Sequence, residues 1–225
     1  MLKFTTTNKV DNNGIKLMVY GGAGFGKTVL CSTAPNPIIL SAESGLLSLR
    51  RVNLPVIEIT SFNDLIEAFN WCKTSHEASQ FHNICLDSIS EIAEVILTNE
   101  KKGAKDPRKA YGEMIEKTLM ALKDFRDIKG KHIYMSAKME SVKDEATGII
   151  MYGPSMPGNK LGPQLPYLFD EVFRLGISKD QSGLEYRFLQ TKADMQYSAK
   201  DRSGALDALE PPDLTAVINK ILGVF

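Results

Sequence analysis

The sequence predicts an α/β fold with a mainly parallel central sheet flanked by helices, closed by a C-terminal β-hairpin and a terminal helix. Three observations carry this. Short apolar runs alternate with amphipathic stretches of helical period through the first two thirds of the chain. A glycine cluster, "GGAGFGKT" at 21–28, joins one apolar run to a helical one. Two later apolar runs are separated by the turn-forming "KDQSG".

The elements follow in order. A polar start ends in "DNNG", a turn signal. "IKLMVY" reads as a buried strand, and "KTVLCSTA" as a short helix stopped by Pro35 and Pro37. "PIILSAESG" and "PVIEIT" supply the next two strands. "SFNDLIEAFNWCKTSHE" reads as a helix capped by Ser61, with Leu65, Phe69 and Cys72 on one face. "HNICLDS" is a fourth strand, two helices follow over about 88–102 and 108–129, and "KHIYMSA" is a fifth strand. From 138 to 164 the texture turns rich in Gly, Pro and Lys and reads as a loop region, with a plain hairpin at "KDEATG" as the alternative for its first half. "EVFRLGIS" and "LEYRFLQTK" form the hairpin, and "PDLTAVINKILGVF" the last helix, with Pro212 in its first turn.

Composition bounds the function. The 225 residues suit one domain, 1–225, with a short extension over 1–13. Lys and Arg number 27, as do Asp and Glu, so no global charge drives the chain to nucleic acid and any basic surface must be local. The apolar runs are far shorter than a bilayer span, and "MLKFTTTNKV" lacks the apolar core of a secretory signal, so a cytoplasmic protein without a membrane partner is expected. Cys31, Cys72 and Cys85 have no metal-ligand spacing, as expected of reduced thiols. Trp71 reads as packing, and His76, His82 and His132 as surface or strand-edge residues.

The glycine cluster matches G-x-x-x-x-G-K-[ST], with Gly21, Gly26, Lys27 and Thr28 in register. At ordinary residue frequencies that match arises by chance on the order of once in a hundred chains of this length. Such a loop turns the backbone N–H groups of Gly22, Ala23, Gly24, Phe25 and Gly26 towards one anion, and the helix starting at Lys27, Thr28 and Val29 adds its positive end. Lysine then reaches the outer phosphates of ATP and the threonine hydroxyl ligates Mg²⁺. Asp87, ending the strand "NICLD", is the candidate metal-side carboxylate, and Ser88 either orients that site or caps the next helix. Glu43 follows the strand after the loop helix, where a carboxylate can align an attacking water.

Two basic stretches suggest nucleic acid. "KKGAKDPRK" reads as a solvated loop or a phosphate contact. The 138–164 segment carries Lys138, Lys143 and Lys160 with Met151 and Tyr152, a combination suited to gripping and stacking a single strand.

The loop, "LSAESG", "ICLDS" and "YMSAK", in this order, resemble the ATPase core of RecA-like recombinases over about residues 14–195. The resemblance implies a RecA-like P-loop fold, Glu43 as activator of water, and a polar γ-phosphate sensor near Ser136–Lys138. Where the family commonly has glutamine, this chain has Lys138, so a sensor and a salt-bridged surface lysine are equal readings. A DNA-binding loop is implied at 138–164, and a basic residue reaching a neighbour's γ-phosphate at Lys192, with Lys200 and Arg202 as rivals. "KFTTT" lacks the Phe-x-x-Ala pattern many relatives use to polymerise. "PSMPGNKLGPQLPYLFDEVFRLGIS" and "YRFLQTKADMQYSAKDR" resemble the C-terminal half of phage-encoded RecA-like single-strand annealing proteins, an AAA-type ATP-binding group.

The expectation is therefore an Mg²⁺-ATP-binding ATPase acting on single-stranded DNA in phage-type recombination or annealing. It would work in a bacterial host cell as a homo-oligomer, with a single-strand-binding protein as a further partner. The rivals are a small P-loop kinase, which the position of Glu43 disfavours, and a nucleotide-dependent interaction module.

Overall fold

The computed structural model describes residues 13–224 apart from 44 and 146. The extension expected over 1–13, with its "KFTTT", falls almost wholly outside the described residues. Among the described residues ten strands form one sheet: β1 (Lys16–Gly21), β2 (Pro37–Ser41), β3 (Val56–Glu58), β4 (Asn83–Asp87), β5 (His132–Lys143), β6 (Ile150–Ser155), β7 (Glu171–Lys179), β8 (Glu185–Gln190), β9 (Lys200–Asp201) and β10 (Leu209–Glu210). The helices are α1 (Lys27–Cys31), α2 (Phe62–Thr74), α3 (Ile89–Gly103), α4 (Pro107–Arg126) and α5 (Leu214–Leu222).

The sheet order is β10-β8-β7-β1-β5-β4-β2-β3. From β3 to β7 every neighbouring pair is parallel, and β8 turns back antiparallel on β7. The strands on either side of β1 therefore come later in the chain. The open ends of β1, β2, β4 and β5 meet at one edge, where an α/β sheet collects its ligands.

Both faces are buried, which is why the central strands read as continuous apolar runs. Met18, Tyr20, Leu40, Leu86 and Met135 pack beneath α2, α3 and α4. Their alternating neighbours Leu17, Val19, Ile39, Cys85 and Tyr134 pack beneath α1 and α5. The three cysteines are buried and free. Ser61 caps α2 as expected: its side chain accepts from Asp64 N at 3.1 Å and Asp64 Oδ2 accepts from Ser61 N at 2.8 Å. Trp71 packs on the Phe81 ring, and His132, at the start of β5, accepts from Ile15 N at 3.1 Å.

Three expectations are corrected. In its first half the 138–164 segment follows the alternative reading, a hairpin turning at "KDEATG", and not the loop. Strand β5 runs on to Lys143 and pairs antiparallel with β6, so Lys138, Lys143 and Tyr152 lie on a hairpin. The stretch "KKGAKDPRK" is mostly helical, because Asp106 caps α4 by accepting from Arg108 N at 2.9 Å, with Pro107 at the first helical position. Pro212 precedes the last helix instead of entering it, since Asp213 is the better cap and accepts from Ala216 N at 3.0 Å. Among the described residues no helix is long and apolar enough to cross a membrane.

Candidate functional site

The loop between β1 and α1 wraps a cleft of about 540 Å³. Two glycines explain its shape. Gly26 has φ 107°, a conformation closed to most side chains, and lets the chain turn directly into α1. A Cβ on Gly21 would sit 2.9 Å from the Leu175 carbonyl oxygen, so only glycine lets β7 approach here. From beneath, Tyr134 donates to Lys27 O at 2.9 Å and holds the first turn of α1.

The structure brings the predicted loop residues Gly21, Gly22, Ala23, Gly24, Gly26, Lys27, Thr28 and Val29 together with Glu43 and Lys138 on this cleft. Phe25 turns its ring back towards Gly22. The Lys27 ammonium donates to the carbonyls of Gly21 and Gly22 at 2.9 and 3.0 Å. Burial lowers its pKa, and the charges of Glu43 and Asp87 oppose that shift.

Thr28 Oγ1 donates to Asp87 Oδ2 at 2.6 Å, and Ser136 Oγ donates to the other oxygen of the same carboxylate. Burial nevertheless raises the Asp87 pKa, the two hydroxyls working against it. Asp87 is placed there by register: it pairs with Ser41 across β4 and β2, and Ala42 N donates to its carbonyl at 3.0 Å. That pairing sets Glu43 two residues further along the same edge. The Asp87–Ser88 peptide is cis.

Ser88, left open between two roles, takes the cap of α3 and also reaches Glu43. Its hydroxyl donates to Glu43 Oε1 at 2.6 Å and accepts from Glu91 N at 3.3 Å as the cap of α3. Lys138 forms an ion pair with Glu91, as the salt-bridged reading expects, and also lines the cleft. Ser90 Oγ accepts from Lys138 N at 2.9 Å and donates to Ser155 O at 2.7 Å, tying α3 to the base of the β5–β6 hairpin.

The other candidates lie apart from the cleft. Lys143 and Lys160 are exposed, at the end of β5 and in the turn after β6. Tyr152 stacks on Tyr197 at 4.8 Å between centroids, and the Arg174 guanidinium lies 3.5 Å from the Tyr197 centroid, so one face of Tyr152 is taken. Lys192 is exposed just after β8. Its rivals are engaged elsewhere: Lys200 donates to Pro166 O and Phe169 O, and Arg202 pairs with Asp170 at 2.8 Å. Sequence reasoning missed Arg187, which reaches from β8 to the loop and donates from Nε to Phe25 O at 2.9 Å. Its only signal was a lone arginine in the aromatic run "EYRF".

The donor set fits a hard divalent cation beside a polyphosphate. Thr28 and Asp87 offer oxygen ligands only, and among the described residues no cluster of three His, Cys, Asp or Glu forms a closed cage. Magnesium commonly completes such a site with substrate phosphates and water.

No curated relative matches. A solved structure, a KaiC-like protein from the hyperthermophilic archaeon Pyrococcus horikoshii, is similar at 15% identity over 84% of each chain, with a TM-score of 0.43. The AAA domain family matches residues 13–203, from the turn before β1 to just past β9. The chain belongs to the AAA domain family.

Proposed function

We propose that the chain is an ATPase that binds Mg²⁺-ATP on loop 21–28 and hydrolyses it with Glu43 as general base. One observation carries this: Lys27, Thr28 and Glu43 line one cleft at the open ends of β1, β2 and β4, and the buried Asp87 accepts from the Thr28 hydroxyl beside it. Loop N–H groups and Lys27 would hold the phosphates. Thr28 and Asp87 would hold the metal, which when bound neutralises charge on the phosphate oxygens. Glu43, oriented by Ser88, would take the proton from the attacking water. Calorimetric titration of Mg²⁺-ATP together with phosphate release tests the reading. Absence of binding by the parent protein would sink it.

The partner in this reading is single-stranded DNA, bound by a homo-oligomer in recombination or annealing. Its support is the sequence resemblance, together with a hairpin that grows from the same strand end as Lys138 and carries Lys143 outwards. Lys192 would reach the nucleotide of a neighbouring copy. A protein that binds ATP without measurable turnover and ignores DNA would instead be a nucleotide-dependent interaction module.

A further inference from the structure

Helix α1 carries Lys27 and Thr28 and is five residues long. Gly26 brings no side chain to cap it, and its first turn holds no acid. A helix this short does not keep its shape in water unaided, so its neighbours must hold it.

The end of α1 is tied to α5 through one residue. Thr33 Oγ1 donates to Leu30 O at 2.7 Å and accepts from Leu214 N at 2.8 Å, so a single hydroxyl bridges α1 to the first turn of α5. The Thr33 carbonyl accepts twice more from α5, from Thr215 N at 3.2 Å and from Thr215 Oγ1 at 2.5 Å. Helix α5 is itself firmly seated. Asp213 caps it, and Leu214, Val217 and Ile218 are buried in the same layer as Leu30 and Cys31. At its far end Lys220 pairs with Asp207 and Glu210, each at 2.6 Å. All of α5 lies past residue 203, where the AAA domain match ends.

We propose that Thr33 is a positioning residue for the phosphate loop: it ties α1 to α5, and α5 thereby fixes the turn that presents Lys27 and Thr28. The proposal rests on the reading of loop 21–28 as a nucleotide site. Leu30 N closes that turn by donating to Gly26 O at 2.9 Å, so the residue gripped by Thr33 also holds the end of the loop. Without the hydroxyl, Leu214 N loses its acceptor, Leu30 O loses a donor, and α1 unwinds in part of the population. A ligand then selects the wound fraction, and its apparent affinity falls by that fraction.

Calorimetry on the full chain, beside a thermal melt, separates positioning from plain stability. The ligands are Mg²⁺-ATP and Mg²⁺-tripolyphosphate, against the parent protein, Thr33→Val, Thr33→Ser, Thr215→Val and Lys220→Met. Thr33→Val keeps the branched shape without the hydroxyl and should weaken both ligands about tenfold, the equivalent of one hydrogen bond. Thr33→Ser keeps the hydroxyl and should stay within about twofold of the parent. Thr215→Val removes one of the bonds to Thr33 and should weaken both ligands about threefold. Lys220→Met cuts α5 at its far end, so it should lower the melting temperature and leave both affinities within about twofold. Unchanged affinity in Thr33→Val, or in Thr215→Val where Thr33→Val does not fold, would overturn the proposal. So would an equal loss in Lys220→Met, because affinity would then follow stability alone. A parent that binds neither ligand would instead remove the nucleotide site, and this proposal with it.

Discussion

Ser88 donates its hydroxyl hydrogen to Glu43 Oε1 across 2.6 Å, joining the end of β2 to the first turn of α3. The same oxygen of Ser88 caps that helix by accepting from Glu91 N. A carboxylate at a strand end is free to swing; this one is aimed from the side by a group that is itself fixed by a helix.

Ser88→Ala should therefore lower ATP turnover about tenfold while leaving nucleotide affinity unchanged, because a base slightly out of line loses rate before it loses binding. The lost cap should cost about 1 kcal/mol of stability. Ser88→Thr, which keeps the hydroxyl, should restore both. Phosphate release and a thermal melt on the two variants check this.

Removing the proposed base is a sharper intervention. Glu43→Gln keeps shape and the Ser88 bond but cannot take a proton, so ATP should still bind and hydrolysis should slow by about 10²-fold or more. Equal turnover in variant and parent would leave Glu43 as a loop residue.

Lys27→Ala should abolish useful Mg²⁺-ATP binding while the fold survives, since the ammonium faces the cleft and not the core. Asp87→Ala should keep part of the nucleotide affinity but lose its dependence on Mg²⁺. Titrations with and without the metal, beside a far-ultraviolet spectrum, distinguish these results from unfolding.

A separate expectation concerns pH and lies at the other end of the sheet. Glu171 is buried and faces Asp201 across β7 and β9, and burial with that neighbouring charge pushes its carboxyl up to about 7. The folded chain thus holds this proton more tightly than the unfolded chain. Its contribution is greatest below the ordinary glutamate value of 4.5, declines as pH rises towards about 7, and stays lost above that. Glu171→Gln should raise the melting temperature at pH 8 by about 3 °C, the shift that about 1 kcal/mol makes in a domain of this size. It should also flatten the melting curve's dependence on pH between the two values. A variant that melts lower than the parent at pH 8 would contradict this.

DNA binding, if it follows the proposed reading, must come from a local patch on a chain of zero net charge. Lys143→Ala with Lys160→Ala should weaken binding to a labelled single strand and flatten its salt slope by about 0.7 per lost contact. Lys192→Ala should lower ATPase only in DNA-assembled oligomers. Sedimentation at two salt concentrations checks the first expectation. A parent protein that stays monomeric and unbound at low salt favours the interaction-module reading.

The parallel sheet was legible because burial on both faces forces apolar runs, and "IKLMVY", "PIIL" and "ICL" have no other economical reading. The β5–β6 hairpin was legible only as an alternative, through the turn-like "KDEATG". Its residues Lys138, Val142, Lys143 and Ile150 are exposed, so no burial pattern marks it, and Gly153 and Pro154 within β6 look like loop. The backbone ladder alone makes it a strand pair. The phosphate loop was legible because its chemistry is local. The bonds that tune it were hidden because they are remote: Glu43 and Ser88 are 45 residues apart, and Phe25 and Arg187 are 162 apart. "KKGAKDPRK" misled for a different reason, since charge at exposed helix ends imitates a loop.

The two bonds from Lys27 to the carbonyls of Gly21 and Gly22 give this lysine a task before any ligand arrives. It braces the arch from inside, tying the start of the turn to the start of the helix. In the proposed reading a phosphate would enter a shape already held, and the lysine would exchange carbonyl oxygens for phosphate oxygens without the loop having to be gathered first. Truncating Lys27 therefore removes a scaffold as well as a charge, and amide hydrogen exchange across residues 22–26 should quicken in that variant even without nucleotide.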